Sequence, residues 1–180
     1  MKKIFVNILM VIACVAITLC TNTSHAATAT PEGYNTYELS GFTVNIPDEF
    51  VKSEGWSTET SMRLNSDKLN LRDDGGEYSS SATIDIYVFD GKVENLNEYA
   101  ENMKWSVKAM DETCDEPVVE GNTAILRSTS DVGDGFLINW RFLVVNEDGN
   151  IAGGTISYRG EEAKYYDDIV TPIIQSIQFK

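Results

Sequence analysis

From Ser80 to Phe89 the chain alternates, with Ala82, Ile84, Ile86 and Val88 on one face and Thr83, Asp85, Tyr87 and Phe89 on the other. Successive side chains of a strand point to opposite faces, so this run predicts a half-buried strand. Upstream, Tyr34 to Leu39 and Phe42 to Ile46 read as two short strands joined across Ser40-Gly41 and stopped by Pro47. Ser61 to Leu64 and Lys68 to Leu71 suggest a second hairpin, followed by a turn at Asp73-Asp74-Gly75-Gly76. The period then changes to that of a helix, because Leu96, Tyr99, Ala100, Met103, Val107 and Met110 recur at offsets of three and four. Asn95 with Glu98 forms a capping box at its start. That stripe is read as a core face against the sheet and not as a cofactor groove.

The second half returns to strands. Val118 to Glu120 and Thr123 to Ser128 flank Gly121-Asn122, and Gly135 to Val145 is the strongest strand pattern in the chain. Ile151 to Arg159 follows across Glu147-Asp148-Gly149-Asn150, which is hairpin chemistry. On the long strand Phe136, Ile138, Trp140, Phe142 and Val144 line one face, and Leu137, Leu143 and Val145 make most of the other apolar. A strand apolar on both faces is expected in the middle of a sheet covered on both sides. From Glu161 a last stripe of Ala163, Tyr166, Val170, Ile173, Ile174 and Ile177 predicts a C-terminal helix, kinked at Pro172 because proline cannot donate to the Asp168 carbonyl.

Residues 1–26 follow neither pattern. Lys2 and Lys3 precede an apolar run from Ile4 to Leu19 broken only by Asn7 and Thr18, and Ser24-His25-Ala26 is a small-x-small cleavage site. This is the form of a signal peptide, so the mature chain is expected to begin at Ala27 and to be periplasmic or secreted. Residues 27–33, with Pro31 and Gly33, read as a flexible leader to a single domain over residues 34–180. The alternative is a membrane-anchored lipoprotein through Cys20, which ends Ile17-Thr18-Leu19-Cys20. Leu19 is large for the position before a lipidated cysteine, which favours soluble export. The apolar run is short for a spanning helix and no second run follows, so none is expected in the mature chain.

Cleavage at that site narrows the chemistry. It removes His25, the only histidine, and with it every mechanism that needs an imidazole. Cys14 and Cys20 leave too, so Cys114 is expected to stand alone and stability to come from packing without a disulfide. The full sequence has a formal net charge of −14, and loss of Lys2 and Lys3 makes it more acidic still. That sign disfavours nucleic acid and anionic lipid. A cationic partner or divalent cations would suit it, but the acidic residues are spread along the chain, as solubility alone would have them.

Individual motifs give little chemistry. Asp131-Val132-Gly133-Asp134-Gly135 lacks the third acidic position and distant glutamate of a calcium loop, so an ordinary turn is expected. Cys114, surrounded by Asp111, Glu112, Asp115 and Glu116, is expected to be a poor nucleophile. Trp56 and Tyr78 could stack on sugars, though aromatics also serve core and rim. No catalytic residue, metal ligand or cofactor is nominated. One grouping is stronger: strands in register would collect Thr83, Asp85, Tyr87, Asn139, Arg141, Ser157 and Arg159 on the second sheet face. Asp85 and Arg141 are expected to pair there, as a structural ion pair beneath a helix or, alternatively, as part of an anion or carboxylate-ligand pocket.

Gly41-Phe42-Thr43-Val44-Asn45-Ile46-Pro47, the helix containing Leu96-Asn97-Glu98-Tyr99-Ala100, the hairpin ending Gly154-Thr155-Ile156-Ser157-Tyr158 and a closing Tyr166 to Phe179 helix together resemble the PsbP-like family. That family includes the extrinsic photosystem II subunit, bacterial envelope proteins such as DcrB and a nuclear Ran-binding protein. The resemblance covers the order of elements over nearly all of the mature chain. It implies an α/β (α+β) fold, an α/β/α sandwich whose central antiparallel sheet is flanked by helices. It brings no catalytic residue, since the family is largely one of binding and accessory proteins, and nothing matches the residues by which a plant subunit docks. The expected function is an exported, non-enzymatic binding or accessory protein of the cell envelope, with an envelope protein or small ligand as partner. A carboxylate-based glycan hydrolase or glycan-binding module is the alternative.

Overall fold

Gly41, at φ +94°, turns the chain tightly enough for Tyr34–Leu39 (β1) and Phe42–Pro47 (β2) to pair antiparallel with Leu39 opposite Phe42. The computed structural model describes residues 30–67, 69–70 and 79–180. After β2 come Phe50–Lys52 (β3), a 3-10 turn at Glu54–Trp56, Ser61–Ser66 (β4), Leu69–Asn70 (β5), Ser79–Ser80 (β6) and Ala82–Phe89 (β7). Leu96–Ala109 (α1), Thr113–Cys114 (β8), Val118–Glu120 (β9), Thr123–Asp131 (β10), Phe136–Val145 (β11) and Ile151–Arg159 (β12) follow. A 3-10 turn at Gly160–Glu162 leads into Ala163–Gln175 (α2), and Gln178–Phe179 (β13) closes the chain.

The central sheet is antiparallel, in the order β3-β4-β7-β12-β11-β10-β8 with β9 also on β10. A small sheet, β1-β2-β13, lies apart from it. One face of the central sheet presents Leu64, Ile84, Ile86, Phe142 and Ile156, all buried, to α2 and β2. Tyr166, Val170, Ile173 and Ile174 of α2 fill the space between the sheets. On the opposite face α1 packs over β10, β8 and β9. The sandwich expected from the sequence is therefore present, with the small sheet beside α2 as an addition to it.

Several local readings change. The Ser61 to Leu64 strand pairs with β3 and β7, not with the Lys68 to Leu71 segment; Leu69–Asn70 pairs instead with Ser79–Ser80. The Asp73 to Gly76 turn and Tyr78 lie outside the described residues. The closing helix stops short of Phe179: the chain leaves α2 at Ser176, and Phe179 pairs opposite Phe42 with the two rings 6.1 Å apart. Pro172 is inside α2, which continues past it to Gln175.

The α1 stripe is only partly core. Ala100 and Val107 are buried, but Tyr99 and Met103 are half-buried and Met110 is 58% exposed. The helix reaches only one side of the sheet, so that flank faces the open part of it. Leu143 is buried on this face, opposite buried Ala124 of β10; on its other side Gly153 of β12 has no side chain, and Phe89 and Leu143 close over the gap. At the N-terminus of α1, Asn95 Oδ1 accepts from the Asn97 and Glu98 amides at 3.1 and 3.3 Å. Asn95→Ala is expected to cost ~1 kcal/mol in urea unfolding, because those donors lose their partner; an unchanged midpoint would contradict the cap.

Candidate functional site

The end of α1 sets the geometry of one site. Met110 caps the helix, Asp111 takes a left-handed conformation at φ 60°, and the Asp111 and Glu112 amides return to the Lys108 and Val107 carbonyls at 3.1 and 3.3 Å. This is the Schellman arrangement with aspartate where glycine usually sits. It turns Glu112 back over the sheet. There Glu112 Oε1 accepts from Arg141 Nη2 at 2.8 Å, and Oε2 accepts from Arg141 Nη1 at 3.0 Å and from the Ser128 hydroxyl at 2.6 Å. Arg141 also bonds Ser128 directly. The network continues along the sheet, with Asn139 Nδ2 donating to Ser130 at 3.1 Å and the Ser157 hydroxyl donating to Asn139 Oδ1 at 2.7 Å.

A second centre lies further across the same face. Arg63 donates to both carboxylate oxygens of Asp85, from Nε at 2.7 Å and Nη2 at 2.8 Å. Its guanidinium carbon stands 5.1 Å from the centroid of the Trp56 ring, a cation–π distance. On β7, Tyr87 packs edge-on to Phe89 and its hydroxyl lies 3.4 Å from the Thr155 hydroxyl.

Register explains why the expected pair does not form. Arg141 is opposite Thr155 and Thr155 is opposite Asp85, so β12 separates the two by two strand spacings, ~10 Å. Each then takes a nearer partner, Glu112 for Arg141 and Arg63 for Asp85. The predicted grouping is otherwise assembled: Thr83, Asp85, Tyr87, Asn139, Arg141, Ser157 and Arg159 share the face given by the alternation and the register. Arg159 is at its end and is held by Glu161 at 2.7 Å and Asp134 at 3.2 Å. The Asp131 to Gly135 segment is a strand-to-strand turn in which Asp131 Oδ1 accepts from the Gly133 amide at 2.7 Å. Arg63, Glu112, Ser128 and Thr155 were not anticipated. Alternation within Ser61–Ser66 would have placed Arg63 opposite buried Met62 and Leu64, whereas no sequence signal marks Glu112.

Among the described residues the half of this face over β4, β7 and β12 has no helix packed on it. Asn65, Thr83, Asp85, Tyr87, Thr155 and Ser157 are half-buried there. Beside it, between α1 and the sheet, is a cavity of about 180 Å³ with Tyr99, Met103 and Met110 in its wall and Arg141 in its base. Burial alone would push the Glu112 carboxyl up, but the bonds from Arg141 and Ser128, the Arg141 charge and Asn139 outweigh it and hold it below the ordinary 4.5. A carboxyl so held is a poor proton donor at neutral pH. Because the native value is depressed, Glu112 contributes stability that is complete above the unfolded value and is lost as pH falls through the native one. Stability is therefore expected to fall less steeply below pH 4.5 in Glu112→Gln than in the parent; equal slopes in acid denaturation series would refute this contribution.

No protein-family model matches the sequence, and neither does any curated protein. Solved structures do. The Ran-binding protein Mog1p of Saccharomyces cerevisiae superposes with a TM-score of 0.56 at 12% identity, over 81% of this chain and 95% of that one. Cyanobacterial PsbP (CyanoP) of Synechocystis sp. PCC 6803 superposes with a TM-score of 0.54 at 11% identity, over 84% of this chain and 95% of the other. The fold is PsbP-like. At such identities the likeness concerns the fold alone, and a PsbP-like fold hosts sites that its architecture does not specify. No helix among the described residues is long and apolar enough to cross a membrane.

Proposed function

We propose that this chain is an exported accessory protein of the cell envelope that works by binding a partner on the open half of its central sheet. The carrying observation is that the charged groups of that face are already neutralised, Arg63 with Asp85 and Arg141 with Glu112 in bidentate pairs and Arg159, at its end, by Glu161 and Asp134. Such pairs fix side chains in place and so preorganise a surface for recognition. They suit proton transfer poorly: hydrolysis of a glycoside needs one carboxyl kept protonated and another free to act as base or nucleophile. That weighs against the hydrolase alternative. A Ran-binding protein of the same fold supports a binding role without naming a partner for this chain.

The test is a photocrosslinking amino acid placed at Tyr87, on the open face, and separately at Glu120, an exposed position on β9. In the cells that make the protein, a defined adduct is expected from position 87 and not from 120. Equal labelling at both positions, or none at 87, rejects the face as the binding surface. The export part rests on residues 1–26, and Edman sequencing of the mature protein should begin at Ala27 in a soluble fraction. Recovery of a lipid-modified Cys20 from membranes would replace this with anchoring.

A further inference from the structure

The chemistry of the open face narrows what it takes. Trp56 is 70% exposed, and Arg63 stacks against its ring while bonding Asp85 on the next strand. A large aromatic ring, an ion pair and the Tyr87 and Thr155 hydroxyls therefore form one continuous surface. Its charge is balanced although the chain as a whole carries −14. An anion would find both arginines of the two pairs already engaged, and a cation would find both carboxylates neutralised.

What remains available is mixed donor and acceptor capacity. The Asp85 oxygens each accept one bond and have lone pairs to spare, Arg63 keeps N–H groups beyond those it gives to Asp85, and the hydroxyls can do either. A ligand that answers this is one whose own groups both donate and accept and which has an apolar side to lay on an aromatic ring. Extended peptide answers it less well, since the backbone groups of a sheet face are already used in the ladder and strand addition needs an edge.

We propose that the face binds a neutral oligosaccharide, with one sugar ring stacked on Trp56 and its hydroxyls hydrogen-bonded to Arg63, Asp85, Tyr87 and Thr155. This rests on the reading of the face as the binding surface. Neighbouring strands present these groups in rows ~5 Å apart, the scale of a single sugar ring.

Calorimetric titration of the purified protein with maltohexaose, cellohexaose, mannohexaose and chitohexaose tests it, with a hyaluronan hexasaccharide and hexalysine as charged comparators. At least one neutral hexasaccharide is expected to bind. Trp56→Ala should weaken that binding about tenfold or more, the scale of a lost aromatic contact, while Trp56→Tyr retains most of it. Trp105→Ala, at an equally exposed tryptophan on α1, should leave it unchanged. Both tryptophans lie at the surface, so matching unfolding midpoints are expected to confirm intact folds. Binding of none of the four neutral sugars, preference for a charged comparator, or indifference to Trp56→Ala overturns the proposal. If the position-87 adduct then persists, only the ligand class is wrong; if that adduct is absent as well, the binding face itself is rejected.

Discussion

Arg141→Met is expected to lower stability by roughly 3 to 5 kcal/mol, the cost of stranding one member of a buried pair. Arg141 and Glu112 are 20% and 10% exposed, and methionine would leave the Glu112 carboxylate with the Ser128 hydroxyl as its remaining hydrogen-bond donor in a desolvated position. The loss arises from the unpaired charge more than from the absent attraction, so removing both charges should restore much of it. Urea unfolding of Arg141→Met, Glu112→Leu and the double variant measures this as a coupling energy. Combining Arg141→Met with Asp85→Leu should bring no recovery, since Asp85 belongs to Arg63. Recovery with Asp85→Leu and none with Glu112→Leu would reverse the pairing assigned to this face.

Gly154→Ala should cost ~3 kcal/mol, at the upper end of what overpacking usually does. A Cβ there would stand 2.2 Å from the Asp85 carbonyl oxygen and 2.8 Å from Phe142 Cζ. Phe142 could rotate, but the Asp85 carbonyl belongs to a strand paired on both sides, by β4 and by β12. The strain must therefore move backbone, and with it the carboxylate that Arg63 holds. Gly55→Ala is the comparison, because nothing lies within 4 Å of a Cβ at that position; it should change stability by no more than ~0.5 kcal/mol. Equal tolerance of the two alanines in thermal or urea unfolding would contradict the close approach of β7 and β12.

The legible parts of this molecule are those in which local pattern and tertiary burial ask for the same thing. Ile84 and Ile86 alternate with Thr83 and Asp85, and burying the first set places the second on the opposite face whatever the neighbouring strands are. Gly41 and the Glu147 to Asn150 turn set hairpins that need no distant information, and Asn95 starts α1 through its own side chain. Short elements were invisible. Phe50–Lys52, Thr113–Cys114 and Gln178–Phe179 are too brief to show a period, and each is a strand only because a partner strand offers it a ladder.

The site divides along the same line. Alternation placed Asp85, Tyr87, Asn139, Arg141 and Ser157 on one face, since parity along a strand is a local property. Strand order is not local: β12 enters between β7 and β11 through pairing of residues far apart in the chain, and so Asp85 and Arg141 are kept from each other. Glu112 reaches Arg141 only because Asp111 takes a left-handed turn at the end of α1, in a stretch with no glycine to announce it. Thus the sequence by itself determined which residues face the core and which share the polar side, because hydrophobic periodicity is read off the chain directly. Which charges meet across that side was decided by tertiary structure, because an ion pair forms with the partner that packing brings nearest.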